Sequence, residues 1–174
     1  MTRYHLEFSG YNNYDGAICD ELKRILFDAF KMNNSYFNLA VNEAVCNVAK
    51  HSVEGADNVH CFINILVSEV DVSVRIRGKT IPFDAKEFQK RLQTIRDTPQ
   101  LTHMEWGDYL NTVNLDMGMG FWYMLTGVDY LCIERDGSEI MLTTMLPCDR
   151  SKGRNTTINY LVPRFLVRDK GVIS

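Results

Sequence analysis

The stretch Phe37-Asn-Leu-Ala-Val-Asn-Glu-Ala-Val-Cys-Asn-Val-Ala-Lys-His51 decides how the rest of the chain is read. Its apolar residues Phe37, Ala40, Val41, Ala44, Val45 and Val48 recur at helical spacing, and Asn34 or Ser35 stands before them as a cap. This predicts an amphipathic helix with one face in a core. Glu43, Asn47 and His51 fall at i, i+4 and i+8, a polar row along one flank of the apolar stripe. A carboxylate in that row can act as a base or orient water, and an amide oxygen can ligate Mg²⁺ beside phosphate. The solvent-facing edge of an ordinary helix has the same appearance, so the row alone does not define a chemistry.

Before this helix, Tyr4 to Phe8 alternates apolar and polar residues up to the turn-rich Ser9–Asn13, which predicts a first strand. Ile18, Leu22, Ile25, Leu26, Ala29 and Phe30 then predict a helix that Asn33-Asn34 ends. After it, Val59–Val67 and Val70–Ile76 are β-rich runs across Ser68-Glu69, an antiparallel hairpin. Ala85–Ile95 predicts a helix, whereas 97–117 has no clean period and reads as a functional loop or lid. A short helix over Met119–Thr126 follows, then a second hairpin, Tyr130–Glu134 with Ile140–Leu146, across Asp136-Gly137. Tyr160–Val167 predicts an added strand, which Pro163 would confine to a sheet edge. Helices and hairpins without regular βαβ alternation predict an α+β fold, a two-layer sandwich with helices on one face of a mixed or antiparallel sheet.

The chain has 174 residues, 45% of them hydrophobic and 24% charged, and a net charge of −3. This is the balance of one globular domain. No apolar run is long enough to span a bilayer, and the first residues lack the layout of a signal peptide, so a cytoplasmic location is expected. Cys19, Cys46, Cys61, Cys132 and Cys148 are scattered and never paired as CxxC, which fits reduced thiols rather than a disulfide framework or zinc site. His5, His60 and His103 have no partners at metal-ligand spacing. Residues 1–146 carry 13 Lys and Arg against 20 Asp and Glu, whereas residues 147–174 carry 6 against 2. The acidic body argues against a protein that grips nucleic acid directly, and the tail reads as a separate basic extension.

Two further segments bear on function. Gly118-Met119-Gly120 directly precedes the helical Phe121-Trp122-Tyr123-Met124-Leu125, an arrangement that offers backbone amides to a phosphate. Gly78-Lys79-Thr80 imitates the end of a P-loop, but Ser73 stands where that motif needs its first Gly, and strand residues fill the intervening positions.

The Phe37–His51 stretch resembles the N-box helix of the anti-sigma factor and serine-protein kinase family, within the superfamily of gyrase, heat-shock chaperone, histidine kinase and mismatch-repair ATPases, the Bergerat fold. Asp116-Met-Gly-Met-Gly-Phe-Trp-Tyr-Met-Leu-Thr-Gly-Val-Asp129 is similar to the family's second glycine box. The order of elements matches over about residues 3–146, taken as a histidine-kinase-like ATPase domain, with 147–174 as an extension beyond it. The resemblance implies ATP and Mg²⁺ as cofactors. Asn47 would hold the metal against the phosphates, Glu43 would be the catalytic base toward a protein serine, and His51 would support the helix end. Gly118, Met119, Gly120 and Phe121 would wrap the phosphates. It also implies a protein partner, whether a sigma factor, an antagonist or another signalling protein, and is compatible with a homodimer.

The family's first glycine box is where this chain departs. Asp-x-Gly-x-Pro-Phe-Asp is expected there, its first Asp accepting the adenine amino group. Aligned on Pro82-Phe83-Asp84, that Asp falls on Gly78 and the Gly on Thr80; aligned on Gly78, the Asp falls on Ile76. Neither register supplies the carboxylate. A hydrogen bond to a charged acceptor is worth about 1.5–3 kcal/mol, so its loss weakens adenine binding roughly ten- to a hundredfold. Two readings follow: an ATP-using regulatory kinase in which Thr80 or a backbone carbonyl takes the acceptor role, and a non-catalytic interaction module of the same fold.

Overall fold

The computed structural model describes residues 1–112, 119–148 and 155–169. Strand β1 (Thr2–Ser9) leads through irregular turns to helix α1 (Cys19–Phe30), and α2 (Ser35–Lys50) follows. Strands β2 (His60–Val67) and β3 (Asp71–Gly78) form the first hairpin. Helices α3 (Ala85–Asp97), α4 (Trp106–Thr112) and α5 (Met119–Gly127) precede the second hairpin, β4 (Tyr130–Glu134) and β5 (Glu139–Met145). The short α6 (Ile158–Leu161) and β6 (Phe165–Arg168) complete the described chain. The fold is α+β, with a six-stranded mixed sheet in the order β1-β2-β3-β5-β4-β6. Every neighbouring pair is antiparallel except β4 with β6.

Side-chain alternation sorts the two faces of the sheet. Phe8, Ile63, Ile65, Val74, Ile76, Leu131 and Leu142 are buried under the helical layer, while Arg3, His5, Asn64, Arg75 and Arg77 are exposed on the other face. That open face is laced by charge, with Arg168 bonded to Glu134 at 3.1 Å and to Glu139 at 2.5 Å.

Helix α2 runs through the centre of the helical layer for a local reason at each end. The Asn34 side chain accepts from Phe37 N at 3.1 Å and caps the first turn, and His51 leaves helical geometry at the last. Its buried stripe is mostly Ala and Val, which lets α5 approach closely: a β-carbon built on Gly127 would lie 2.5 Å from both Ala40 Cβ and Tyr36 O.

Two expectations are corrected. The aperiodic stretch contains helix α4, whose Trp106 and Tyr109 turn inward at i and i+3; Trp106 stacks on Trp122 with ring centroids 6.1 Å apart. The turns and helix α4 cover the described part of that stretch up to residue 112, and the remainder of the loop or lid expected over 97–117, residues 113–117, lies outside the described residues. Residues 160–167 are not one strand. Pro163 sits at the start of a helical turn, where its fixed φ and missing N–H cost nothing, so the chain coils through 158–164 and extends only from Phe165. Ile158, Leu161 and Phe165 of this tail are buried in the same core as the rest of the chain.

Candidate functional site

Where α2 ends, its last turn meets the connection between β3 and α3. Ile81 N donates to His51 O at 2.8 Å, and Val53 N donates to Lys79 O at 3.0 Å. From the other side, Thr80 Oγ1 donates to Gly137 O at 3.3 Å, and Phe83 N donates to Asp136 O at 3.1 Å, in the turn between β4 and β5. Gly137 has φ +78, and a β-carbon there would come within 2.9 Å of Phe83 Cβ, so a glycine is needed both for the turn and for the loop's close approach. The loop is therefore held open as a rim rather than collapsed onto the sheet.

Beneath that rim lies a cavity of about 340 Å³. Asn47, Val48 and His51 of the α2 end form one wall, and Thr80, Ile81, Pro82 and Phe83 form the rim. Phe121 and Met124 of α5 face them, with Phe88 alongside and Ile133 and Ile140 as the floor. The size falls within the range of small-molecule pockets. Its wall of rings is itself rigidly packed: Phe88 and Phe121 meet edge to face at 4.8 Å, and both meet Phe165, at 5.7 and 5.3 Å. Asn47 Nδ2 points toward Met124 Sδ at 4.0 Å, a weak contact that leaves the amide able to turn to a ligand. Among the described residues, no Asp, Glu, Lys or Arg lines this cavity. Carboxylates appear in the neighbouring open cleft of about 520 Å³, where Asp84, Asp136 and Asp169 share the lining with Arg135 and the Pro82-Phe83 wall.

Asn47, His51, Thr80 and Phe121, all singled out in the sequence, thus converge on one cavity, although Asn47 and Phe121 come from helices far apart in the chain. Gly78, Glu43 and Gly120 do not line it. Gly78 ends β3, where a β-carbon would lie 2.5 Å from Val48 Cγ1, so it supports α2 from behind. Glu43 is half-buried, with its carboxylate over the first turn of α5: a β-carbon on Gly120 would lie 2.5 Å from Glu43 Oε2. Met119 is exposed, and Gly118 lies outside the described residues. Phe83, Phe88, Met124, Ile133, Ile140 and Gly137 are cavity residues that the sequence reading did not select as such. Pro82-Phe83-Asp84, the Asp136-Gly137 turn and, for Met124, the glycine-box-like segment carried some signal for them.

Among the described residues, no three His, Cys, Asp or Glu side chains gather as a metal site, and no helix is long and apolar enough to cross a membrane. The five cysteines are free. Burial pushes the Cys61 thiol up to about 12 and also raises that of Cys132. Tyr14, whose hydroxyl donates to Asn42 Oδ1 at 2.5 Å beside α2, is likewise raised well above the usual phenol range by burial.

No known family model matches the chain, and no curated protein matches it.

Proposed function

We propose that the chain is a regulatory protein of the Bergerat type, resembling the anti-sigma factor and serine-protein kinases, which binds a nucleotide in the cavity at the end of α2 and acts by phosphorylating or sequestering a protein partner. The observation that carries this reading is convergence. Asn47 of the N-box-like helix and Phe121 and Met124 of the segment that resembles the second glycine box and its helix wall a single cavity, although Asn47 and Met124 are 77 positions apart. A mostly apolar cavity of this size, lined by the Phe83, Phe88 and Phe121 rings with Ile133 and Ile140 below, suits a heterocyclic base.

The fit to Mg-ATP is uneven. The Asn47 amide oxygen is a suitable hard ligand for Mg²⁺ beside phosphate, and the slot takes a base. Among the described residues the cavity lining holds no carboxylate for an adenine amino group, and Thr80 Oγ1 and the Gly137 carbonyl are acceptors at its rim. The second reading, a module of the same architecture that regulates through surface contacts without turnover, is favoured by the placement of Glu43. Its carboxylate rests on α5 rather than in the cavity, where a base would have to reach substrate.

Calorimetric titration with ADP and ATP in excess Mg²⁺, run in parallel on an Asn47→Ala variant, tests the proposal. Saturable binding that weakens at least about tenfold in the variant supports nucleotide use. Absence of heat up to millimolar nucleotide eliminates it and leaves the sequestering module.

A further inference from the structure

The acidic balance of residues 1–146 is not spread evenly over the surface. On the β1–β3 half of the open sheet face, strand alternation brings out Arg3 from β1 and Arg75 and Arg77 from β3, against the carboxylates Glu7 and Asp71. Both carboxylates are already engaged. Glu7 lies 3.6 Å from His5 Nε2, and Asp71 accepts from Ser73 Oγ at 3.4 Å and from Ser68 Oγ. Arg75 reaches Glu139 at 3.3 Å yet its side chain stays 47% exposed. Arg3 and Arg77 are exposed and have no carboxylate partner among the described residues. The β4–β6 half is different, because Arg168 there sits between Glu134 and Glu139 and cancels their charge.

The arginine-bearing half also carries rings. Phe62 on β2 stands in register between Glu7 and Arg77. The Arg77 guanidinium lies over the Phe62 ring, 5.4 Å from its centroid, and the imidazoles of His5 and His60 flank the same ring at 6.1 and 4.7 Å. Both imidazoles are exposed and held in place: Asn64 Oδ1 is 2.9 Å from His5 Nδ1, and Ser9 Oγ is 2.8 Å from His60 Nδ1. Arg75 and Arg77 are two residues apart on one strand, a step of about 7 Å. A pleated surface thus presents fixed planar groups with guanidinium groups beside them.

We propose that this half of the open face binds single-stranded nucleic acid, with the three arginines taking phosphates and the cluster of Phe62, His5, His60 and Arg77 taking unstacked bases. Single strands are held by this combination, in which bases stack on rings and guanidinium planes while cations follow the backbone. A duplex keeps its base faces inside its own stack, and an acidic polypeptide would use the arginines but leave the rings idle. The negative charge of the whole chain argues against such a ligand only as an average, and the structure gathers the unpaired arginines where the rings are. Phosphates and base faces are common to RNA and DNA, so a DNA strand probes the site. The face lies across the sheet from the cavity, whose floor residues Ile133 and Ile140 point into the helical layer, so this binding is independent of what the cavity takes.

Fluorescence anisotropy of a short labelled DNA strand of mixed sequence, titrated with the full chain over a range of salt, tests this. Saturable binding is expected at low salt, with log K falling by about 2 for each tenfold rise in salt, the slope for about three phosphate contacts. Arg3→Glu and Arg77→Glu are each expected to weaken binding about tenfold or more and to flatten that slope. Phe62→Leu, which keeps an apolar side chain on the strand, is expected to weaken it about fivefold or more with the slope unchanged. Lys90→Glu, an exposed change on α3 in the other layer, is expected to leave it unaltered, and circular dichroism checks the fold of each variant. No binding by the wild type at low salt overturns the proposal. So does equal weakening by Lys90→Glu and Arg77→Glu, the mark of diffuse charge attraction. Displacement of the strand by polyglutamate as readily as by unlabelled strand also overturns it, and would give the face to an acidic protein.

Discussion

Gly120 and Gly127 lie on the same helix and both face α2, yet a methyl group would be received differently at each. At Gly127 the obstacles are Ala40 Cβ and the Tyr36 carbonyl, both 2.5 Å from an added β-carbon and both fixed to α2. At Gly120 the obstacle is the far end of the Glu43 side chain, which can swing away. Gly127→Ala should therefore destabilise the fold by about 1–3 kcal/mol through overpacking, and Gly120→Ala by much less, as read from denaturant midpoints. The buried Cys61 thiol offers a second test. Its ionisation is pushed from 9.0 to about 12. Between those values the unfolded chain releases this proton and the folded chain keeps it. The stability tied to the neutral thiol is thus intact below pH 9 and declines as pH rises toward 12, by at most about 1.4 kcal/mol per pH unit. Tyr14 adds a similar decline at higher pH, so the difference between wild type and Cys61→Ala unfolding curves over this range isolates the Cys61 share.

At the scale of elements, β6 is the tail's principal attachment, and Phe165 is its anchor. Its ring is buried and meets Phe88 and Phe121 edge to face, so Phe165→Ala should cost about 3–5 kcal/mol and loosen the cavity wall along with the sheet edge. A lowered thermal midpoint together with weaker nucleotide binding is the expected result; a lowered midpoint with unchanged binding would show that the wall tolerates the loss. This attachment was the least legible element in the sequence. Helices α1, α2 and α5 and both hairpins announced themselves through period and turn residues, because the residues that specify them are local. Helix α4 was hidden because Trp106 and Tyr109 are only two inward residues in one short helix, too few to set a period. The tail was misread because Tyr160–Val167 is β-rich by composition while Pro163 favours a coil, and only the packing of Ile158 and Leu161 decides between them. The site was half legible for the same reason. Asn47 and His51 stand in a recognisable row, whereas Ile133, Ile140 and Phe88 become cavity residues only when distant elements meet.

For the molecule as a whole, the strand order has a kinetic meaning. The hairpins β2–β3 and β4–β5 join residues close in sequence and can form within microseconds. The ladder that unites them, from Asp71↔Met145 to Arg77↔Glu139, must first gather in all of α3, α4 and α5. Closing so long a loop is entropically costly before any contact rewards it, which places the rate-limiting event at the centre of the sheet rather than at either turn. Until that ladder zips shut, the inner edges of both hairpins are bare, and encounters between chains compete with completion of each one. Refolding yield should accordingly rise as the protein is diluted.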